Sequence, residues 1–112
     1  MNVPRLNRRL VLEAPDRVPD GAGGYLQTWV PLGEMWAEVK PGMGREKPAG
    51  FAVISAVHYR IYVRGAPVGA PSRPRAEQRF RDGGRIFRIH AVTEDDPAAR
   101  FLVCYAYEEG AA

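Results

Sequence analysis

Val57-His58-Tyr59-Arg60-Ile61-Tyr62-Val63-Arg64 is the most legible stretch of the chain. Val57, Tyr59, Ile61 and Val63 take every second position, and His58, Arg60, Tyr62 and Arg64 fill the places between. Strict period-2 alternation specifies a strand with one face on a core and the other toward solvent. β-branched and aromatic side chains dominate it, the types that fit a half-buried pleated surface. The register that follows turns Val57, Tyr59, Ile61 and Val63 inward, with Phe87, Ile89, Val103 and Tyr105 as expected neighbours.

Outward from this strand the same grammar repeats. Toward the N-terminus, residues 9–13 (RLVLE) read as a first strand, ended by Ala14-Pro15. Residues 16–24 (DRVPDGAGG) read as a hairpin loop, with Asp, Pro and Gly in turn roles. Residues 25–30 (YLQTWV) form a second strand, and Pro31-Leu32-Gly33 turns the chain. Residues 35–40 (MWAEVK) form a third, with Met35, Ala37 and Val39 opposite Trp36, Glu38 and Lys40. Residues 41–54 (PGMGREKPAGFAVI) hold too many Pro and Gly for one regular element. A helix begun at Arg45-Glu46-Lys47 is limited by Pro48 to about a turn. The apolar run Phe51-Ala52-Val53-Ile54 either begins the Val57 strand or projects as a loop. Toward the C-terminus, residues 65–74 (GAPVGAPSRP) are a proline-rich connection. Residues 78–81 and 85–92 pair as a hairpin about Asp82-Gly83-Gly84. There His90 shares a face with Ile86, Arg88 and Val92. Residues 93–99 are a polar turn, and residues 100–107 (RFLVCYAY) a last strand, apolar on both faces and hence central or covered.

The 112 residues suit one small domain spanning 1–112, and 46% apolar with 26% charged residues excludes wholesale disorder. No apolar run approaches the roughly 20 residues of a membrane span. Residues 1–5 (MNVPR) begin no long apolar segment, so no export signal is expected. Ten prolines and twelve glycines argue against long helices. The expected fold is all-β: a small barrel or roll of about six to seven mostly antiparallel strands with long loops. Its core is thin at this size, so contacts with neighbouring subunits suit it.

Fourteen of the sixteen basic residues are arginines, only Lys40 and Lys47 being lysines. Residues 60–88 carry eight arginines against Glu77 and Asp82, a local charge of +6 on a chain of +3, so the remainder is acidic. Such asymmetry suits head-to-tail contacts between copies or a surface facing a polyanion. Arg60, Arg64, Arg79, Arg81, Arg85 and Arg88 are the candidate interface or DNA-facing residues. With Tyr62 beside Arg60 and Arg64, a barrel binding single-stranded nucleic acid is the alternative function. Catalytic chemistry has no foothold. His58 and His90 lack clustered partners for a metal, and Cys104 sits in an apolar strand with nothing to depress its pKa. Ser55 and Ser72 lie in no nucleophile elbow, and Gly21-Ala22-Gly23-Gly24 precedes a strand where a phosphate loop opens a helix. No catalytic residue, metal or cofactor is expected.

One ordered set of motifs is familiar. It runs Leu6-Asn7-Arg8-Arg9-Leu10-Val11-Leu12, then Asp20 with Gly23-Gly24-Tyr25, Thr28-Trp29-Val30 and Met35-Trp36-Ala37-Glu38-Val39-Lys40-Pro41. Gly44-Arg45-Glu46, the His58 to Arg64 strand and Phe80-Arg81-Asp82-Gly83-Gly84-Arg85-Ile86-Phe87-Arg88-Ile89 complete it. Across roughly residues 5–107 the chain resembles the phage head–tail joining family of siphovirus type, also called head-closure or stopper proteins. Its Arg- and Ala-rich composition also suits the version in gene transfer agents. The resemblance implies a ring-forming structural protein of the particle neck, made in the bacterial cytoplasm, with no membrane partner. It implies contacts with a portal-bound adaptor, with a tail terminator or tail tube protein, and with the end of packaged double-stranded DNA. The family's channel loop corresponds to residues 41–54, with Gly44, Arg45, Lys47, Phe51, Val53 and Ile54 as its candidate working residues. Relatives tend to be more polar and helix-like where this chain has Pro48 and Phe51-Ala52-Val53-Ile54, and residues 65–74 are unusually rich in proline.

Overall fold

A computed structural model describes residues 3–42, 47–49, 52–54 and 57–110. Among them run eight strands: β1 (Arg8–Pro19), β2 (Tyr25–Pro41), β3 (Lys47–Ala49), β4 (Ala52–Ile54), β5 (His58–Arg64), β6 (Arg79–Asp82), β7 (Arg85–Glu94) and β8 (Phe101–Glu109). Six of them close a barrel in the order β1-β2-β5-β8-β7-β6, and β3 pairs with β4 alone. Every pairing is antiparallel. The all-β barrel expected from the alternation is the fold.

β5 lies between β2 and β8, where its apolar row meets two others. Ile61 stands opposite Val39 and Cys104, and Val63 opposite Ala37 and Leu102. Ile61 and Val63 are fully buried with Leu10, Leu12, Phe80 and Phe87, and Tyr59 packs against that cluster. Val57 does not join them. It precedes β5 at the rim and is 43% exposed. The expected neighbours Phe87 and Ile89 are core residues and Val103 is buried as well, but Tyr105 is 37% exposed. Leu102, Cys104 and Ala106 point inward instead. Residues 101–107 are apolar on both faces, so alternation alone does not set their parity; pairing with β5 does.

Two bulges account for other departures from the sequence reading. Pro31-Leu32-Gly33 is no turn: β2 runs through it, pairing Gly33 with Leu12 and Pro31 with Glu13 and leaving Leu32 over. Gly33 holds φ at +145°, a backbone that side chains disfavour. β1 likewise continues past Pro15 to Pro19. In β7, Ile89 pairs with Ala106 and Ala91 with Tyr105, so His90 is the extra residue. The bulge flips the row, and Val92 packs against the core while Arg88 faces out and pairs with Glu109. At the foot of β5, Gly65 donates its N–H to the Arg100 carbonyl at 2.7 Å. A Cβ there would lie 2.1 Å from the Ala99 carbonyl oxygen, so only glycine fits.

Closure rests on a short seam. β1 meets β6 through Val11–Arg81, Leu12–Phe80 and Glu13–Arg79. Glu13 is 5% exposed there. Its Oε1 accepts from Arg79 Nε at 2.7 Å and its Oε2 from Arg81 Nε at 3.0 Å. Burial alone would raise the Glu13 pKa, but the two guanidiniums outweigh it and hold the carboxyl below the usual glutamate value. Arg8 pairs with Asp82 across the same seam.

Two stability outcomes follow in urea denaturation. Ile61→Ala is expected to cost ~2–5 kcal/mol as a core truncation, while His58→Ala, on the other face, costs little. Reversed effects would mean that the β5 register is off by one. Glu13→Gln is expected to cost ~1–3 kcal/mol near neutral pH, since hydrogen bonds to charged groups are the stronger kind. The folded Glu13 pKa is depressed, so its stabilisation is complete above the unfolded value and fades as pH falls through the carboxylate range. The gap between wild type and Glu13→Gln should therefore narrow toward acid; a constant gap would remove the ion pairs as its cause.

Candidate channel hairpin and arginine face

Within residues 41–54, Lys47–Ala49 and Ala52–Ile54 are strands despite the surrounding Pro and Gly. Lys47 pairs with Ile54, Pro48 with Val53 and Ala49 with Ala52. This corrects the expectation of no regular element and of a short helical turn reaching Lys47. It also corrects the alternative in which residues 51–54 simply begin the Val57 strand, because Ala52–Ile54 pairs with β3. Pro48 is tolerated since each strand of an isolated pair has a free edge. Of the candidate channel residues, Lys47, Val53 and Ile54 lie in this hairpin, and Gly44, Arg45 and Phe51 lie outside the described residues. Among the described residues β3 and β4 pair only with each other. The base of the segment is nevertheless pinned, for Gly42 donates its N–H to the His58 carbonyl at 2.7 Å.

The six candidate arginines divide into two groups. Arg79 and Arg81 hold Glu13. Arg85 makes a two-point contact with Glu108, Nε to Oε2 at 2.8 Å and Nη2 to Oε1 at 3.0 Å. The Tyr59 hydroxyl donates to the same carboxylate at 3.2 Å. The hydrogen bond from Arg85 outweighs burial and keeps the Glu108 pKa low, and the carboxylate in turn raises that of Arg85. Arg88 reaches Glu109 at 3.1 Å. Arg79 and Arg88 both lie against the Trp29 ring, at 4.1 and 5.1 Å from its centre. Their charge thus serves the barrel. Arg60 and Arg64 are the exposed pair, without an ion-pair partner among the described residues. Sequence reading missed Glu13, Glu108 and Glu109 as partners. The available signal was the acidic excess outside residues 60–88, which the fold spends internally.

The outer face of β2 and β5 carries the remaining polar aromatics. Lys40 stands 5.4 Å from the Tyr62 ring centre and Arg9 6.0 Å from that of Trp36. His58 and His90 meet edge to face at 6.0 Å, and His90 stacks near Tyr107. Burial raises the Cys104 pKa to about 12, so its sulfur stays a thiol with little nucleophilic character.

Comparison with known proteins agrees with this architecture. The family model described as "Phage head completion protein" matches residues 1–110. A solved structure titled "Virion of native gene transfer agent (GTA) particle" contains a chain 55% identical, covering 98% of this chain and 100% of that one, with a TM-score of 0.81. Protein SF1141 from Shigella flexneri 2a is 24% identical over the full length of both chains with a TM-score of 0.67, a likeness of fold. Among curated proteins no match was found. Barrel, motif order and near-full-length match agree: the chain belongs to the phage head completion protein family and is a structural component of a phage-type particle.

Proposed function

We propose that this chain is the stopper of the particle neck, a ring lying between the portal-bound adaptor and the tail. In this reading the β3–β4 hairpins of successive copies converge on the ring axis and close the channel after packaging. The outer surface docks the tail terminator or tail tube protein. The observation that carries it is the hairpin itself, which pairs outside the barrel sheet beyond the Gly42–His58 hydrogen bond. Val53 and Ile54 supply apolar groups to such a plug, and Lys47 a cation for the phosphates of the DNA end. No catalytic step belongs to this role. The alternative, a barrel that binds single-stranded nucleic acid, draws less support, because Arg79, Arg81, Arg85 and Arg88 are engaged in ion pairs.

Replacing residues 50–53 with a Gly/Ser linker tests the plug. The variant is expected to fold with near-normal thermal stability and to assemble into particles that lose DNA before tails attach. Heads that retain DNA as wild type does, or a chain that no longer folds, would reassign the segment to scaffold. Light scattering on the purified chain provides a second check. A monomer or weak associate is expected at micromolar concentration, because ordering free loops carries a cost that a partner offsets. A stable large ring without its adaptor would contradict that.

A further inference from the structure

β1 and β2 outrun the barrel. β1 touches β6 only from Val11 to Glu13, and β2 pairs with β5 only from Ala37 to Pro41. Residues 14–30 therefore form a two-stranded arm, turned at Asp20, whose Oδ1 accepts from the N–H groups of Ala22 and Gly24. One face of the arm bears Trp29, which lies against Arg79 and Arg88 of the barrel. The other sets Ala14 across from Val30, Asp16 across from Thr28 and Val18 across from Leu26. On β1 this row continues the inward row of Leu10 and Leu12 beyond the barrel rim. Past the rim it is uncovered: Val18, Val30 and Leu26 are exposed, Leu26 to 58%. The arm face is thus apolar with one carboxylate in it.

A second surface has the complementary character. A shallow groove of about 550 Å³ opens where β5 ends and leaves one edge of β2 unpaired. Leu6, Met35, Trp36 and Ala66 form its apolar walls, and Arg64 and Glu34 its polar ones. Glu34 faces Arg9 at 3.7 Å, while Arg64 has no ion-pair partner among the described residues. The groove is apolar with one uncommitted guanidinium.

We infer that the arm of one copy seats in the groove of the next, Val18 and Leu26 against Met35 and Trp36, and Asp16 against Arg64. Arm and groove are different surfaces, so every copy donates one and offers the other. Such a heterologous contact propagates from copy to copy and forms a ring where the rotation between copies closes. The inference rests on the ring reading above and supplies its subunit contact.

The test is made on particles. A chain carrying Leu26→Cys and Ala66→Cys is assembled and treated with a short bis-maleimide; the native Cys104 is buried and stays out of reach. A ladder of covalent multimers on denaturing gels is expected, and each single-cysteine variant should remain monomeric. Asp16→Arg and Arg64→Asp should each lower incorporation about tenfold or more through like-charge contact, and the double variant should restore it. Circular dichroism on each variant verifies folding. Particles that contain the chain but give no ladder, or a double variant as poor as the singles, overturn the arm contact and leave the stopper reading intact. If the wild-type chain is absent from particles, the stopper reading falls. The same cross-link on the concentrated purified chain then decides the contact, a ladder supporting it and its absence ending it.

Discussion

The barrel is closed by the pairing of β1 with β6, three residue pairs long, and that seam depends on one buried carboxylate. Glu13 faces two arginines from β6 at 2.7 and 3.0 Å, so a group that burial penalises becomes the joint between the first strand and the sixth. Removing one partner from such a cluster leaves charge desolvated and unpaired, which costs more than the cluster contributes when whole. The geometry follows from order in the chain. β1 must reach a strand more than sixty residues away, and a short hydrogen-bonded ladder with a charge-assisted core is what this sequence supplies there.

The same seam governs what lies outside the barrel. Because β6 begins only at Arg79 and β5 ends at Arg64, β1 and β2 lose their outer strand partners and continue as a two-stranded ribbon. Inside the barrel, every second residue of β1 is core; past the rim the same alternation puts Val18 in solvent. Between β2 and β5, Lys47–Ala49 and Ala52–Ile54 pair in a second sheet of their own. One small closed core therefore carries a two-stranded arm with an exposed apolar row and, in a second sheet, the β3–β4 pair.

Charge follows a similar economy. The excess of arginine in residues 60–88 suggests a polyanion surface when the chain is read linearly. In the fold, Glu13, Glu108 and Glu109 return from distant positions to meet four of those arginines. Arg's planar fork suits these two-point contacts, and Trp29 takes two guanidiniums on its ring. What remains exposed without an ion-pair partner among the described residues is narrower: Arg60 and Arg64 on the outward row of β5, and Arg75 in the connection before β6.

The sequence by itself determined the all-β class, the β5 strand with Ile61 and Val63 in the core, the Gly83-Gly84 hairpin and the inert Cys104, and its motif order pointed to the family. These were legible because alternation, turn chemistry and isolated cysteines are local signals. Only the tertiary structure decided the parity of β8, since residues 101–107 are apolar on both faces and their register comes from β5. It decided that Pro31-Leu32-Gly33 is a bulge, because whether a Pro–Gly stretch turns or kinks a strand depends on a partner strand running past it. It also decided that Lys47–Ala49 pairs with Ala52–Ile54, and that four arginines are internal ion-pair partners. Those outcomes depend on which distant residues closure brings within a few ångströms, and no local pattern encodes that.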